Sequence, residues 1–233
     1  MRNQYIVSFY KLRRLPFVYL GALLLIVANA AWGYLKLSAV EGMNLYKVFS
    51  DAGCDTSFTF ISTLVSSWFI GSDFGNRTIQ HEIKLGYSRV SVIIVRAVPV
   101  FLATIVLHSI DALSAMLGFG VKAGFSMDGF SGRDVWWCIT IALQIIAFQS
   151  IIILIVFWLR SFGSAIAASV CFTFVACNIL RNYTDAKVFL ISCFCLVRDN
   201  SNETLIGASV FAAAVIVVMF LAVCTVFGQA EMK

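Results

Sequence analysis

Six long apolar runs, separated by short charged patches, constrain this chain more than any other feature. They fall at residues 17–37, 56–70, 92–119, 135–159, 162–180 and 205–227, and most approach the roughly 20 residues an α-helix needs to cross ~30 Å of hydrocarbon. In lipid, backbone polar groups have to be satisfied inside the spanning structure, so runs of this length become helices. The expected fold class is an all-α membrane protein with six transmembrane helices, forming a single domain over 1–233. The second run is short and rich in hydroxyls. It can begin farther upstream, near Val48, if the stretch 51–55 is partly inserted or broken.

Composition agrees. Of the 233 residues 61% are hydrophobic and 12% charged, whereas soluble domains carry about 25% charged residues. With the N-terminus in the cytoplasm, the inner segments hold ten Lys and Arg against three acids, and the outer ones seven against nine. The positive-inside rule then places both termini of this multi-pass protein in the cytoplasm, and the expected location is a plasma membrane, that of a bacterium. The start of the chain imitates a signal peptide, with "KLRR", an apolar core and "ANA" at Ala28 to Ala30. It is read as an uncleaved first span.

Of the seven cysteines, Cys138, Cys171, Cys177 and Cys224 lie in apolar runs, where cysteine acts as a small hydrophobe. Cys54, Cys193 and Cys195 lie outside them, and either all remain thiols or Cys54 bridges to the Cys193/Cys195 pair. The chain has two histidines and no Gly-x-x-x-x-Gly-Lys-Ser/Thr, His-Glu-x-x-His or Gly-x-Ser-x-Gly motif. No catalytic residue, cofactor or metal site is expected, and ATP hydrolysis is beyond this chain alone.

Two polar segments stand out. In the N-terminal 1–15, Tyr5, Ile6, Phe9 and Leu12 share one helical face opposite Asn3, Ser8, Lys11 and Arg14. This reads as an interfacial helix touching membrane lipid, or as a plain topology signal. The second is "FIGSDFGNRTIQHEIKLGYSR", beginning at Phe69. Ser72 or Asp73 can cap a helix that carries Ile79 and Ile83 on one side and Arg77, His81 and Lys84 on others, with Gly86 as its stop. Expected over 72–88, it is a surface rod tied to the second and third spans; the alternative is a solvated loop.

Three further patterns carry polarity or small residues into the membrane. Thr59, Thr63 and Ser67 recur every four residues with Ser62 and Ser66 beside them, a hydroxyl stripe that lines a pathway or a helix contact, or bonds back to its own carbonyls. In the fifth run Gly163 and Ala167 permit close helix approach. His108 and Asp111, three residues apart, share a face of the third span as an intramembrane polar pair, either a proton relay or substrate contact or a local bonded pair. Between the last two runs, 182–204 has an apolar centre too short to cross and reads as an extracellular helical hairpin.

The rod meets a family. An Asp followed by an aromatic, Thr-Ile beginning five residues after the Asp, an aliphatic four later and Gly-x-Ser/Thr-Arg resembles the loop after the second span in permease subunits of type-2 ATP-binding-cassette (ABC) exporters. The matching positions are Asp73, Phe74, Thr78, Ile79, Ile83, Gly86, Ser88 and Arg89, with Gln80 where the family carries a base. Six spans and an amphipathic start extend the resemblance along the chain.

What the resemblance implies is a non-catalytic half-transporter. Separate ABC ATPase subunits, holding ATP and Mg, would dock at the coupling helix through Asp73, Phe74, Arg77, Thr78, Ile79, Ile83, Lys84, Gly86 and Arg89. A second permease, identical or related, would complete the route through contacts that include the fifth span. The cargo would be a peptide, lipid-like molecule or drug, and bacteriocin or lantibiotic self-protection is a subclass the resemblance admits. The competing class is a membrane scaffold or sensor that binds a cytoplasmic partner and moves nothing. Nucleic acid is not an expected partner.

Overall fold

The structure, a computed structural model, describes residues 2–35, 44–53, 57–125, 131–179 and 202–229. Among them the chain is helical: α1 (Arg2–Arg13), α2 (Pro16–Leu35), α3 (Leu45–Gly53), α4 (Ser57–Gly75), α5 (Thr78–Lys84), α6 (Arg89–Ala123), α7 (Gly132–Leu159), α8 (Phe162–Phe174) with a π-helical continuation (Val175–Ile179), and α9 (Asn202–Gly228). The hairpin expected at 182–204 lies outside the described residues except where α9 begins. Cys54, Cys193 and Cys195 lie outside them too.

Among the described residues four helices are long and apolar enough to cross a membrane: Pro16–Leu35, Arg89–Ala123, Gly132–Leu159 and Glu203–Gly228. The hydroxyl-rich α4 and the shorter α8 are not among them. α6 has 35 residues and is about 52 Å long at ~1.5 Å per residue, so it outreaches the ~30 Å hydrocarbon layer. Its start is set by Ser88, whose side chain accepts from the Ser91 amide at 3.2 Å, an N-cap that satisfies one orphan donor of the first turn.

α2 runs alongside α6 in the same direction, with Asn29 meeting Asp111 and Gly33 meeting Ala115. A Cβ on Gly33 would collide with the Ala115 carbonyl, and one on Gly118 with the Ala30 carbonyl. The two backbones touch because these positions lack side chains, the close approach by which membrane helices gain dispersion energy. α7 lies beside α9, joined by Thr140 and Ser209 at 2.9 Å and by the rings of Phe157 and Phe227 at 5.1 Å. α4 packs against α8 through Trp68 and Phe162, 4.8 Å apart and edge-on. α3 covers the far end of α6 with Leu45, Val48 and Ala52 on Ala112, Ala115 and Phe119.

Candidate functional site

The elements gather one set of ends. α1, the end of α4, α5, the start of α6 and the end of α9 meet there, and the ion pairs Lys11–Asp73, Arg96–Asp73 and Arg96–Glu82 lie among them. Asp73, in the last turn of α4, accepts from Lys11 Nζ of α1 at 2.5 Å and from Arg96 Nε of α6 at 3.0 Å. Arg96 Nη1 donates to Glu82 Oε2 of α5 at 2.9 Å and to the Val92 carbonyl at 3.3 Å. Lys11 also donates to Ser72 Oγ at 2.9 Å and the Phe69 carbonyl at 3.2 Å. Two cations and two anions thus bind four helices into one unit. Arg96 is only 2% exposed, a burial that a guanidinium tolerates because its planar fork is matched by carboxylates.

This corrects the expectation for the rod in three respects. Ser72 and Asp73 belong to α4, and α5 is confined to Thr78–Lys84. The position before α5 is Arg77 in left-handed backbone, φ 57° and ψ 18°, a conformation costing of order 1 kcal/mol for a residue with a Cβ. α4 runs on to Gly75 because Phe74 continues its buried face, edge-on to Phe157 at 5.4 Å and Phe227 at 6.5 Å. Asp73 is buried within the ion network and is no surface contact.

Ile79 and Ile83 also point inward. Ile79 is fully buried in the main apolar core and Ile83 packs partly buried against it. The outer face of the corner is formed by Arg77, Thr78, His81, Lys84, Leu85, Gly86 and Tyr87, all exposed. Leu85 is 70% exposed, an apolar knob among cations. Gly86 has φ +88°, the left-handed region glycine enters at no steric cost. Arg89 Nη1 donates to the carbonyls of Phe227 at 2.5 Å and Gly228 at 2.6 Å, placing a cation on the negative end of the α9 dipole. Arg160 Nη2, at the turn from α7 to α8, donates to the Val226 carbonyl at 3.3 Å.

The hydroxyl stripe is a helix contact in this structure. Thr59, Ser62, Thr63, Ser66 and Ser67 are all buried. Gln149 of α7 donates to Ser62 at 2.7 Å and accepts from Ser66 at 2.9 Å, and Thr63 meets Thr173 of α8 at 2.9 Å. Ser62, Ser66 and Ser67 also bond back to carbonyls one turn earlier. Both the inter-helix and the local pattern are present, and the stripe closes α4 against α7 and α8.

Gly163 and Ala167 sit on the opposite, exposed side of α8, and a Cβ on Gly163 would meet nothing within 4 Å. Asp111, 1% exposed, accepts from Asn29 Nδ2 of α2. His108 stacks on Phe58 of α4, ring centroids 4.5 Å apart. The N-terminal helix leaves Ile6 and Phe9 of its expected apolar face exposed, and of that face only Leu12 is buried against the protein. Gln4, Ser8, Leu12 and Leu15 are buried on the protein side, Ser91 Oγ donates to Gln4 Oε1 at 3.4 Å, and Ile6, Val7 and Tyr10 are exposed.

Four residues central to this geometry carry no motif: Arg96, Asn29, Gln149 and Glu82. Arg96 and Gln149 had one readable signal, a strongly polar side chain within an apolar run.

A family model described as "ABC-2 family transporter protein" matches residues 7–178. No curated protein matches the chain. The match covers well over half of the sequence, and the chain belongs to the ABC-2 transporter family.

Proposed function

We propose that this member of the ABC-2 transporter family is the transmembrane subunit of an ATP-driven exporter whose ATP is hydrolysed by a separate chain docked at the α5 corner. One observation carries the reading. α5 is pinned on its inner side by Glu82, Ile79 and Ile83, while its outer side offers Arg77, His81, Lys84, Leu85 and Tyr87 to a partner. A push on that outer side would pass through Arg96 to α6, through Asp73 to α4 and through Lys11 to α1. An element held so tightly moves its neighbours when it moves.

The reading extends to a six-span single domain over 1–233, both termini in the cytoplasm of a bacterial plasma membrane, with α4 and α8 crossing inside an assembly. Pairing with a second permease through the free face of α8 at Gly163 and Ala167 would enclose the route. The cargo class is hydrophobic or amphipathic, with self-protection against bacteriocins or lantibiotics as one case. ATP and Mg would sit on the partner.

The test is purification of the tagged chain from its own membrane in mild detergent, identification of co-purifying chains by mass spectrometry, and an ATPase assay of the complex. A stoichiometric ABC ATPase with cargo-stimulated hydrolysis is expected. A partner lacking nucleotide chemistry would turn the reading to a scaffold or sensor.

A further inference from the structure

A groove of about 310 Å³ runs between α1, the first turns of α2 and the middle of α6. Arg13 and Tyr19 stand at its rim, Ala22 and Ala103 leave room in its floor, and its α6 wall extends from Pro99 to Ile110. Eleven helical steps make that wall about 16 Å long, close to one leaflet of a ~30 Å hydrocarbon layer. Phe9, Tyr19, Leu102 and Val106 line the groove as exposed, apolar or aromatic side chains.

The polar end of the groove is cationic. α1 has Lys11 and Arg13 in its last turn and no acid in its first. Lys11 is engaged with Asp73, and Arg14 lies over the Tyr10 ring at 4.5 Å. Arg13 is exposed and makes no ion pair among the described residues. It is the cation of this turn that faces the groove.

From these features we infer that the groove binds one acyl chain of an anionic phospholipid from the leaflet on the α1 side, with the lipid phosphate at Arg13. Length, apolar lining and charge all fit that occupant. A second copy of the chain fits less well, because a two-fold contact through the same surface would oppose Arg13 and Arg14 to their own images. The bound lipid would brace α1 against α6 beside the Lys11–Asp73 pair. The inference stands on the groove alone and does not depend on the exporter reading.

Dioleoyl phosphatidylglycerol and dioleoyl phosphatidylcholine, added separately to the delipidated full chain in detergent, provide the test, with thermal stability and native mass spectrometry as readouts. Phosphatidylglycerol should stay bound at one per chain and raise the melting temperature more than phosphatidylcholine does. Arg13→Gln should remove the difference between the two lipids, and Ala103→Phe, which fills the floor, should remove retention of both. Equal retention of the two lipids by the wild-type chain would overturn the inference. So would a phosphatidylglycerol preference that survives Arg13→Gln, which also decides the matter if Ala103→Phe misfolds. A lipid-independent dimer abolished by Ala103→Phe would assign the groove to a second copy instead.

Discussion

Glu82 on α5 meets Arg96 inside α6 at 2.9 Å, and Arg96 in turn holds Asp73 of α4 at 3.0 Å. The short helix is thereby joined to both of the long elements that flank it in sequence. Removing the guanidinium would leave Asp73, 5% exposed, with Lys11 alone, and Glu82, with a side chain 21% exposed, with water. Breaking a buried ion pair from one side costs about 3 kcal/mol or more. Arg96→Met should therefore lower the melting temperature in detergent by roughly 6–12 °C for a domain of this size. Arg96→Lys, which keeps the charge and loses the fork, should fall between the two. A melting point unchanged in Arg96→Met would show that the network contributes nothing.

Arg89 holds the last carbonyls of α9. Charge at a helix C-terminus is worth on the order of 1 kcal/mol in partly buried geometry, which corresponds to about fivefold in local opening. Arg89→Gln should raise amide exchange over 223–228 by that factor and leave exchange in α2 as it was.

The α2–α6 crossing separates two glycines that look alike in sequence. Gly118→Val would drive a side chain into the Ala30 carbonyl and should destabilise the chain by roughly 1–3 kcal/mol. Gly163→Ala meets open space and should be neutral or stabilising by up to about 1 kcal/mol, the helix propensity difference. Gly163→Leu should leave the melting point near wild type while reducing any crosslinked dimer. Thermal unfolding and crosslinking of the three variants check both positions.

The stripe on α4 is closed by Gln149 and Thr173. In a cysteine-free background, Ser66→Cys and Thr63→Cys should resist a water-soluble maleimide, whereas Lys84→Cys and Tyr87→Cys react. Labelling of Ser66→Cys that appears only with ATP and an ATPase partner would reveal an open state in which the stripe lines a route.

The apolar runs made most of the fold legible. Run length and the need to satisfy the backbone in lipid located α2, α6, α7 and α9 to within a few residues at most ends. The expected second run, 56–70, stops short of Gly75 because Ser72 and Asp73 read as helix caps, when in fact Lys11 and Arg96 neutralise Asp73 across 62 and 23 residues of sequence. That pairing is long-range and leaves no local pattern. The same limit hid the partners of Asn29 and Gln149, which lie 82 and 83 to 87 residues away. The outer, exposed half of the corner was legible as Arg77, Thr78, Lys84 and Gly86. Its inner half, Ile79 and Ile83, shows helical spacing too, and periodicity alone does not say which face meets the protein's own core.

The central claim is that the exposed face of the α5 corner receives an ATPase. Its most direct measurement is photo-crosslinking in native membranes from a benzophenone side chain at Leu85, 70% exposed on that face, with Leu24, 60% exposed on α2, as the control. The account predicts a covalent adduct between position 85 and an ATP-binding subunit, absent from position 24. No adduct from position 85 in membranes where that subunit is present, or the same adduct from position 24, would contradict it.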